Sequence, residues 1–337
     1  MVPLCVQFRP IDRGQGERSS GNSSIGFKAN MIRRDEIIGF VGLGNMGGAM
    51  CDRLVKAGYS VLVYDLRIEA VHALVEAGAR ACASVSECSA NVDLLFTSLP
   101  RPDHVEEVMG GDGGGLQAMQ PGSVWVDMTT NQVELIRALA KEAPPDVHVV
   151  DSPVTGAVDG ARNGTLTLFV GGEETSVERV TPILKNLGLV IPTGPLGSGN
   201  VVKLVTNQLW FVHAAALGEG FALGMANGVE LETLWRAIKE SVGDSFVARH
   251  DAPSIFAGHY DPSFPLDLCV KDLNLIGELS KSVATKLPMT EKAAEVFVQA
   301  ADRYGHGAGE LHVVKRIEED AQLSFQMEGD WTPPWER

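Results

Sequence analysis

The chain has 337 residues, room for two domains at the usual ~150 residues each, and its 45% hydrophobic and 21% charged residues are those of a folded globular protein. With 43 acidic against 28 basic residues the formal net charge is −15. That excludes general binding to nucleic acid or to an anionic membrane, whose ligands need a basic footprint. A small anionic substrate stays open, because a local basic pocket is compatible with an acidic exterior.

Residues 1–35 carry Arg9, Arg13, Arg18, Lys28, Arg33 and Arg34 against Asp12, Glu17 and Asp35, and include the low-complexity run 19–24. They are expected to form a mobile extension. The Arg- and Ser-rich, acid-poor flavour is also that of a mitochondrial transit peptide, although no strong amphipathic pattern accompanies it. The five cysteines (Cys5, Cys51, Cys82, Cys88, Cys269) are odd in number and form no Cys-x-x-Cys pair or zinc-spaced cluster. The expectation is a reduced cytoplasmic protein with small buried thiols. No His, Asp and Glu cluster points to a metal.

From residue 36 to 197 short apolar runs alternate with amphipathic ones. Runs 37–41, 60–64, 93–98, 124–127, 147–150 and 165–170 read as buried strands, and 46–57, 69–77 and 132–142 as helices between them. This alternation predicts a parallel sheet covered on both faces. Between the first strand and the first helix stands Gly42-Leu43-Gly44-Asn45-Met46-Gly47. Its first glycine permits a tight turn, its second lets backbone approach a pyrophosphate, and its third lets helix and strand pack closely. The helix start then offers free N–H groups to the phosphates. The expectation is a Rossmann-type, doubly wound α/β domain binding a dinucleotide.

Asp65 ends the second strand, where a carboxylate accepts from the adenosine ribose and repels a 2′-phosphate. NAD is therefore expected, with NADP as the alternative because Arg67 stands nearby.

After Gly197 no convincing strand remains. Residues 200–227 read as one interdomain helix of about 27 residues, roughly 40 Å long, stopped by Asn227-Gly228. Lys203, Asn207, His213 and Glu219 interrupt its apolar surface, so it reads as a core helix and not a membrane span. Helices follow near 230–241, 265–283, 290–304 and 309–322. The second domain, 198–325, is expected to be all-α, with a tail at 326–337. The apolar segments Leu209-Trp210-Phe211 and Phe221-Ala222-Leu223 predict burial against a partner subunit, in a homodimer or homotetramer.

Four segments in one order carry a resemblance. They are the glycine turn, the run from Asp151-Ser152-Pro153-Val154-Thr155-Gly156-Ala157 to Leu166, the segment Lys203 to Asn207, and Lys271-Asp272-Leu273. Together they resemble the β-hydroxyacid dehydrogenase family, which includes 3-hydroxyisobutyrate dehydrogenases. The resemblance implies that Thr155, Gly156 and Ala157 hold a substrate carboxylate, that Lys203 is the catalytic lysine and that Asn207 is its partner. It implies that Leu99, Pro100 and Thr130 line the cofactor site and that Lys271 lies near the nicotinamide. The chain departs from the family pattern at Thr155, where serine is usual, at Ala157, where a second glycine is common, and at Thr206, where many relatives carry asparagine.

Lys203 and Asn207 are four apart and share a helix face. Oxidising an alcohol removes a hydride to the cofactor and a proton to the protein, and Lys203 is the candidate acceptor. A free lysine titrates near ~10.4, so burial must lower that value for catalysis near neutrality. The competing readings are a solvated helix-flank lysine for Lys203, a surface lysine paired with Asp272 or Glu278 for Lys271, an exposed loop residue for Arg162, and a core or interface histidine for His213. The expected function is NAD-dependent interconversion of a small anionic 3-hydroxy acid and its semialdehyde. An imine reductase on the same architecture is the alternative, although relatives of that type usually lack the lysine. A nucleotide-binding scaffold without activity is a third reading.

Overall fold

A computed structural model of the protein describes residues 36–261 and 263–331. The expected extension 1–35 and the last six residues of the expected tail lie outside the described residues. The first domain is one sheet of nine strands: β1 (Ile37–Val41), β2 (Ser60–Tyr64), β3 (Arg80–Ala81), β4 (Leu94–Thr97), β5 (Val124–Asp127), β6 (His148–Asp151), β7 (Val154–Thr155), β8 (Leu166–Gly172) and β9 (Gly188–Gly194). Their order is β3-β2-β1-β4-β5-β6-β8-β7, with β9 also paired to β8. From β3 to β6 every pairing is parallel. Buried side chains on both faces, such as Ile38, Phe40, Phe96 and Val126 on one and Val41, Leu95, Trp125 and Val149 on the other, explain the near-continuous apolar runs.

The expected parallel sheet becomes mixed at β8, which runs antiparallel to both β6 and β7. Val150 and Asp151 pair with Gly172 and Gly171, while Val154 and Thr155 pair with Leu168 and Thr167. These pairings share one register, so β6 and β7 are a single extended line interrupted at Ser152-Pro153. Proline has no N–H for the ladder, yet Pro153 O still accepts from Phe169 N at 3.1 Å. The line runs past the carboxyl end of β5 and folds back as a hairpin, with Thr155, Gly156 and a seven-residue helix (Ala157–Asn163) at its tip. Loops beyond the carboxyl ends of parallel strands are where such sheets bind ligands.

Helices Val85–Ala90, Pro102–Met109 and Glu174–Leu184 also pack in this domain, beyond the three expected. The interdomain helix spans Ser198–Ala226 and stops where Gly228 takes φ 84. By length and composition it is apolar enough to cross a membrane. Here it buries Phe211, Ala214, Leu217 and Phe221 within the second domain, which contains helices Leu231–Lys239, Ala252–Phe256, Leu266–Ser282, Pro288–Tyr304 and His312–Asp320. A π-helical turn, Val247–Asp251, precedes Ala252–Phe256. Phe211 and Phe297 meet edge to face at 5.1 Å in the core. The expected tail does not begin at 326: Met327 N donates to Phe256 O at 3.1 Å, and Trp331 packs 5.1 Å from Phe256. Methionine and tryptophan side chains give that segment enough apolar surface to dock.

Candidate active site

The turn after β1 needs three glycines for three reasons. Gly42 has φ +91, and a Cβ there would stand 2.3 Å from Ser98 O. A Cβ on Gly47 would stand 2.0 Å from Gly42 O, so the helix can pack on the strand only without one. At Gly44 nothing lies within 4 Å of that position, and the surface is open. The helix Asn45–Lys56 starts beside it with no side-chain cap. The first-turn amides, those of Asn45 and Met46 included, therefore have no intrahelical acceptor. An open glycine face beside free amides at a positive helix end fits a dinucleotide pyrophosphate.

Asp65 turns its carboxylate onto this turn. Oδ2 accepts from Leu43 N at 2.6 Å and Oδ1 from Arg67 N at 2.8 Å. Arg67 adds an Nε contact to Oδ1 at 3.3 Å and donates Nη2 to Leu43 O at 2.9 Å. Burial pulls the Asp65 carboxyl upward, but the two amides and the guanidinium outweigh it and hold it below the usual carboxylate range. Both backbone polar groups of Leu43 are thus engaged by Asp65 and Arg67, and its side chain is buried, so it shapes the turn from within.

A buried polar network lies under the carboxyl ends of β4, β5 and β6. Asp127 accepts from Thr97 Oγ1 at 2.8 Å, Thr129 N at 3.1 Å and Asn131 Nδ2 at 2.9 Å. Thr129 Oγ1 accepts from Leu99 N at 3.0 Å, tying the Leu99-Pro100 loop to the next one. Asn131 N donates to Asn200 Oδ1 at 2.7 Å. Asp151 accepts from Gly197 N and Asn200 N, each at 2.7 Å, and so caps the start of the interdomain helix. Burial pushes Asp151 up to about 6 despite these amides, with Asp127 adding to the rise. Burial likewise raises Asp127, against its hydrogen bonds. Sequence reasoning misses Asp127, Asn131 and Asn200. A carboxylate ending an otherwise apolar strand is the signal available for Asp127; nothing marks the two asparagines.

This network fixes where the interdomain helix starts, and Lys203 lies one turn further on. Lys203 is 8% exposed and forms no ion pair among the described residues. Burial lowers its ammonium to about 8, helped by Lys271 and opposed by Asp272 and Glu310. An amine that titrates there can both take and return a proton near neutrality. One turn on, Asn207 Nδ2 donates to Asp272 Oδ2 at 2.7 Å. Lys271 Nζ lies 2.9 Å from Asp272 Oδ1, an ion pair without hydrogen-bond alignment. The same Nζ reaches Pro100 O at 3.3 Å and Thr130 O at 3.4 Å. Asn207 and Lys271 thus both contact Asp272, whose charge also acts on Lys203, and Lys271 joins this group to Pro100 and Thr130.

Thr155 lies in β7, paired with Thr167. Gly156 has φ 122, and Ala157, opening the tip helix, has φ 55, a left-handed conformation that L side chains rarely adopt. Where glycine would sit without strain, this chain places a methyl group. Arg162 stands apart from these groups: its carbonyl accepts from Arg53 Nη1 at 3.1 Å, and with Asp52, Lys56 and Asn186 it lines a surface depression.

Residues 37–194 match the family described as the NAD binding domain of 6-phosphogluconate dehydrogenase, and residues 197–317 that described as NAD-binding of NADP-dependent 3-hydroxyisobutyrate dehydrogenase. The chain is 37% identical to the 2-(hydroxymethyl)glutarate dehydrogenase of Eubacterium barkeri, over 83% of this chain and 94% of that one. It is 32% identical to the NAD-dependent L-serine dehydrogenase of Pseudomonas aeruginosa, over 85% of this chain and 98% of that one. The solved structure of Mycobacterium tuberculosis 3-hydroxyisobutyrate dehydrogenase with L-serine aligns with a TM-score of 0.77 at 27% identity, over 84% of this chain and 99% of that one. Both halves of the chain, in order, carry the domains of one group of NAD-binding oxidoreductases, and the chain belongs to the β-hydroxyacid dehydrogenase family.

Proposed function

We propose that the protein interconverts a small 3-hydroxy acid and its semialdehyde with NAD, using Lys203 as general acid and base. The observation that carries this reading is the Lys203 amine: buried, outside any ion pair among the described residues, and lowered to about 8. Bound NAD supplies the hydride acceptor. Lys203 takes the hydroxyl proton in oxidation and returns it to the forming alkoxide in reduction. Asn207, held by Asp272, fixes the substrate hydroxyl, and the Thr155–Gly156–Ala157 tip holds the carboxylate through its hydroxyl and amides.

The compounds named for three similar proteins narrow the class. 3-Hydroxyisobutyrate, L-serine and 2-(hydroxymethyl)glutarate all carry a hydroxymethyl group on the carbon next to a carboxylate. A panel of these three acids, with NAD and NADP in parallel, tests the proposal in wild type and Lys203→Ala. Lysine-dependent reduction of NAD by one of them is the expected result. No turnover with any of them would bring the imine reductase reading forward.

We also propose a homo-oligomer. Val205, Leu209 and Leu223 on the interdomain helix are exposed in the single chain, and an apolar helix face of this kind is usually covered by a subunit. Light scattering at micromolar concentration checks this, and a monomer would contradict it.

A further inference from the structure

The helix Ala157–Asn163 at the hairpin tip has seven residues, too few to be stable alone. Its entry is strained as well, with Gly156 at φ 122 and Ala157 at φ 55, conformations that persist only where the surroundings impose them. On its inner side Gly156 and Gly160 make room for Leu166: a Cβ on them would stand 3.3 Å and 3.2 Å from Leu166 Cδ2. At its carboxyl end Arg53 closes over it. Arg53 Nη1 donates to Arg162 O at 3.1 Å, and Nε donates to Asn186 O at 3.0 Å. The guanidinium lies against Gly164, φ 70, where a Cβ would stand 2.4 Å from Arg53 Cζ. We propose that Arg53 is a positioning residue for the substrate: it clamps the carboxyl end of the tip helix and so holds Thr155, Gly156 and Ala157 where the substrate carboxylate docks. The inference rests on the proposed reading of this tip as the carboxylate site.

Arg53 is well placed to hold the tip because it is itself held. It stands in the last turn of helix Asn45–Lys56, whose Met50 and Leu54 are buried in the same core cluster as Ala161 and Leu166. Its two nitrogens go to backbone carbonyls of separate segments, the tip helix and the turn between helix Glu174–Leu184 and β9. Carbonyls in a last helical turn have no intrahelical donor, and a cation there also meets the negative end of the helix dipole. The tip therefore cannot move relative to the sheet without breaking this fork. With the fork gone, the pairing of Thr155 with Thr167 still holds one arm of the hairpin, but the short helix frays from Gly164 towards Ala157. A carboxylate then has to order the tip as it binds, which lowers its affinity and leaves proton transfer at Lys203 untouched.

Three measurements on wild type, Arg53→Met, Arg53→Ala and Arg53→Lys test this: kinetics at saturating NAD with 3-hydroxyisobutyrate, L-serine and 2-(hydroxymethyl)glutarate, binding of NADH, and hydrogen exchange of the tip amides. Methionine keeps an apolar stem and removes the donors. In the methionine and alanine variants KM for the accepted acid should rise about tenfold, the size of one hydrogen bond lost. Turnover should stay within about threefold and the NADH Kd within about twofold, the pattern of lost substrate binding. The amides of Gly164 and Thr165, both bonded to Gly160 O, should exchange about tenfold faster. Arg53→Lys keeps a donor and should recover part of both losses. A methionine variant with the wild-type KM would reduce Arg53 to packing and overturn the proposal, as would unchanged exchange of the tip amides. A rise in the NADH Kd equal to the rise in KM would also overturn it, by moving the effect to the nucleotide helix. If wild type turns over none of the three acids, the proposed substrate reading fails and the substrate role of Arg53 with it, while exchange at the tip still decides whether Arg53 is a clamp.

Discussion

Asn207 donates its side-chain amide to Asp272 at 2.7 Å, across 65 residues of chain and from one helix to another. The contact fixes which way the amide faces, and it involves a buried carboxylate that pairs with Lys271 at 2.9 Å and acts on Lys203 through its charge. Asp272, Lys271 and Glu310 are the charged groups that act on Lys203. Asp272 is one of the two that raise its value, so removing that charge moves the value down. Asp272→Asn should therefore shift the rise of kcat/KM for oxidation to lower pH, while the weaker hold on Asn207 lowers kcat by about tenfold, as for loss of one hydrogen bond to a charged group. The pH profile is the check, since a merely structural role would leave its midpoint in place.

For the wild-type protein the sign of the pH dependence follows from Lys203 at about 8. Oxidation needs the neutral amine, so kcat/KM should climb through about pH 8 and level off above it. Reduction needs the ammonium and should fall over the same interval. Lys203→Ala should cost about 10²- to 10⁴-fold in turnover with nucleotide binding retained. Lys203→Arg should not restore activity, because a guanidinium stays charged at every working pH. Full activity in the arginine variant would remove Lys203 from proton transfer.

Ala157 is held at φ 55 at the start of the tip helix. A methyl group in the left-handed region costs roughly 1–2 kcal/mol, part of which glycine's greater unfolded-state freedom offsets. Ala157→Gly should raise stability by about 1 kcal/mol, or ~2–4 °C in Tm for a domain of this size. Ala157→Val should lower it, since a branched side chain tolerates this conformation less well. Thermal unfolding of the two variants checks both signs.

Strands β1, β2, β4, β5 and β6 are legible in the sequence because buried parallel strands leave uninterrupted apolar runs, and the glycine turn marks its own helix; the two-residue edge strand β3, exposed at both positions, leaves no such run. The turn to antiparallel at β8 is not legible either. That change of direction comes from the hairpin tip between β7 and β8, which leaves no periodic signal. Lys203, Asn207 and Lys271 are singled out by spacing and resemblance, but Asp272, which contacts the last two, reads only as an ion-pair partner. Asp272 gains its role from a contact 65 residues away along the chain. Asn131 and Asn200 are illegible for the same reason: each is an ordinary polar residue until the fold buries it against a carboxylate.

Asp151 offers a measurement on the junction of the two domains. Its carboxyl is fully buried and raised from the usual range to about 6, burial being the main cause. A raised folded-state value means that Asp151 contributes most stability below its unfolded value near ~3.9 and loses it as pH rises through about 6. A rise of that size corresponds to roughly 3 kcal/mol. Asp151→Asn has no such loss, but an amide cannot accept from both Gly197 N and Asn200 N through its two ends. The variant should therefore be the less stable protein at acid pH, and its deficit should shrink by up to about 3 kcal/mol between about pH 4 and about pH 7. Urea unfolding of both proteins at several pH values measures the difference. A deficit that stays constant across that range would mean that Asp151 holds its charge throughout, and that its amide partners outweigh its burial.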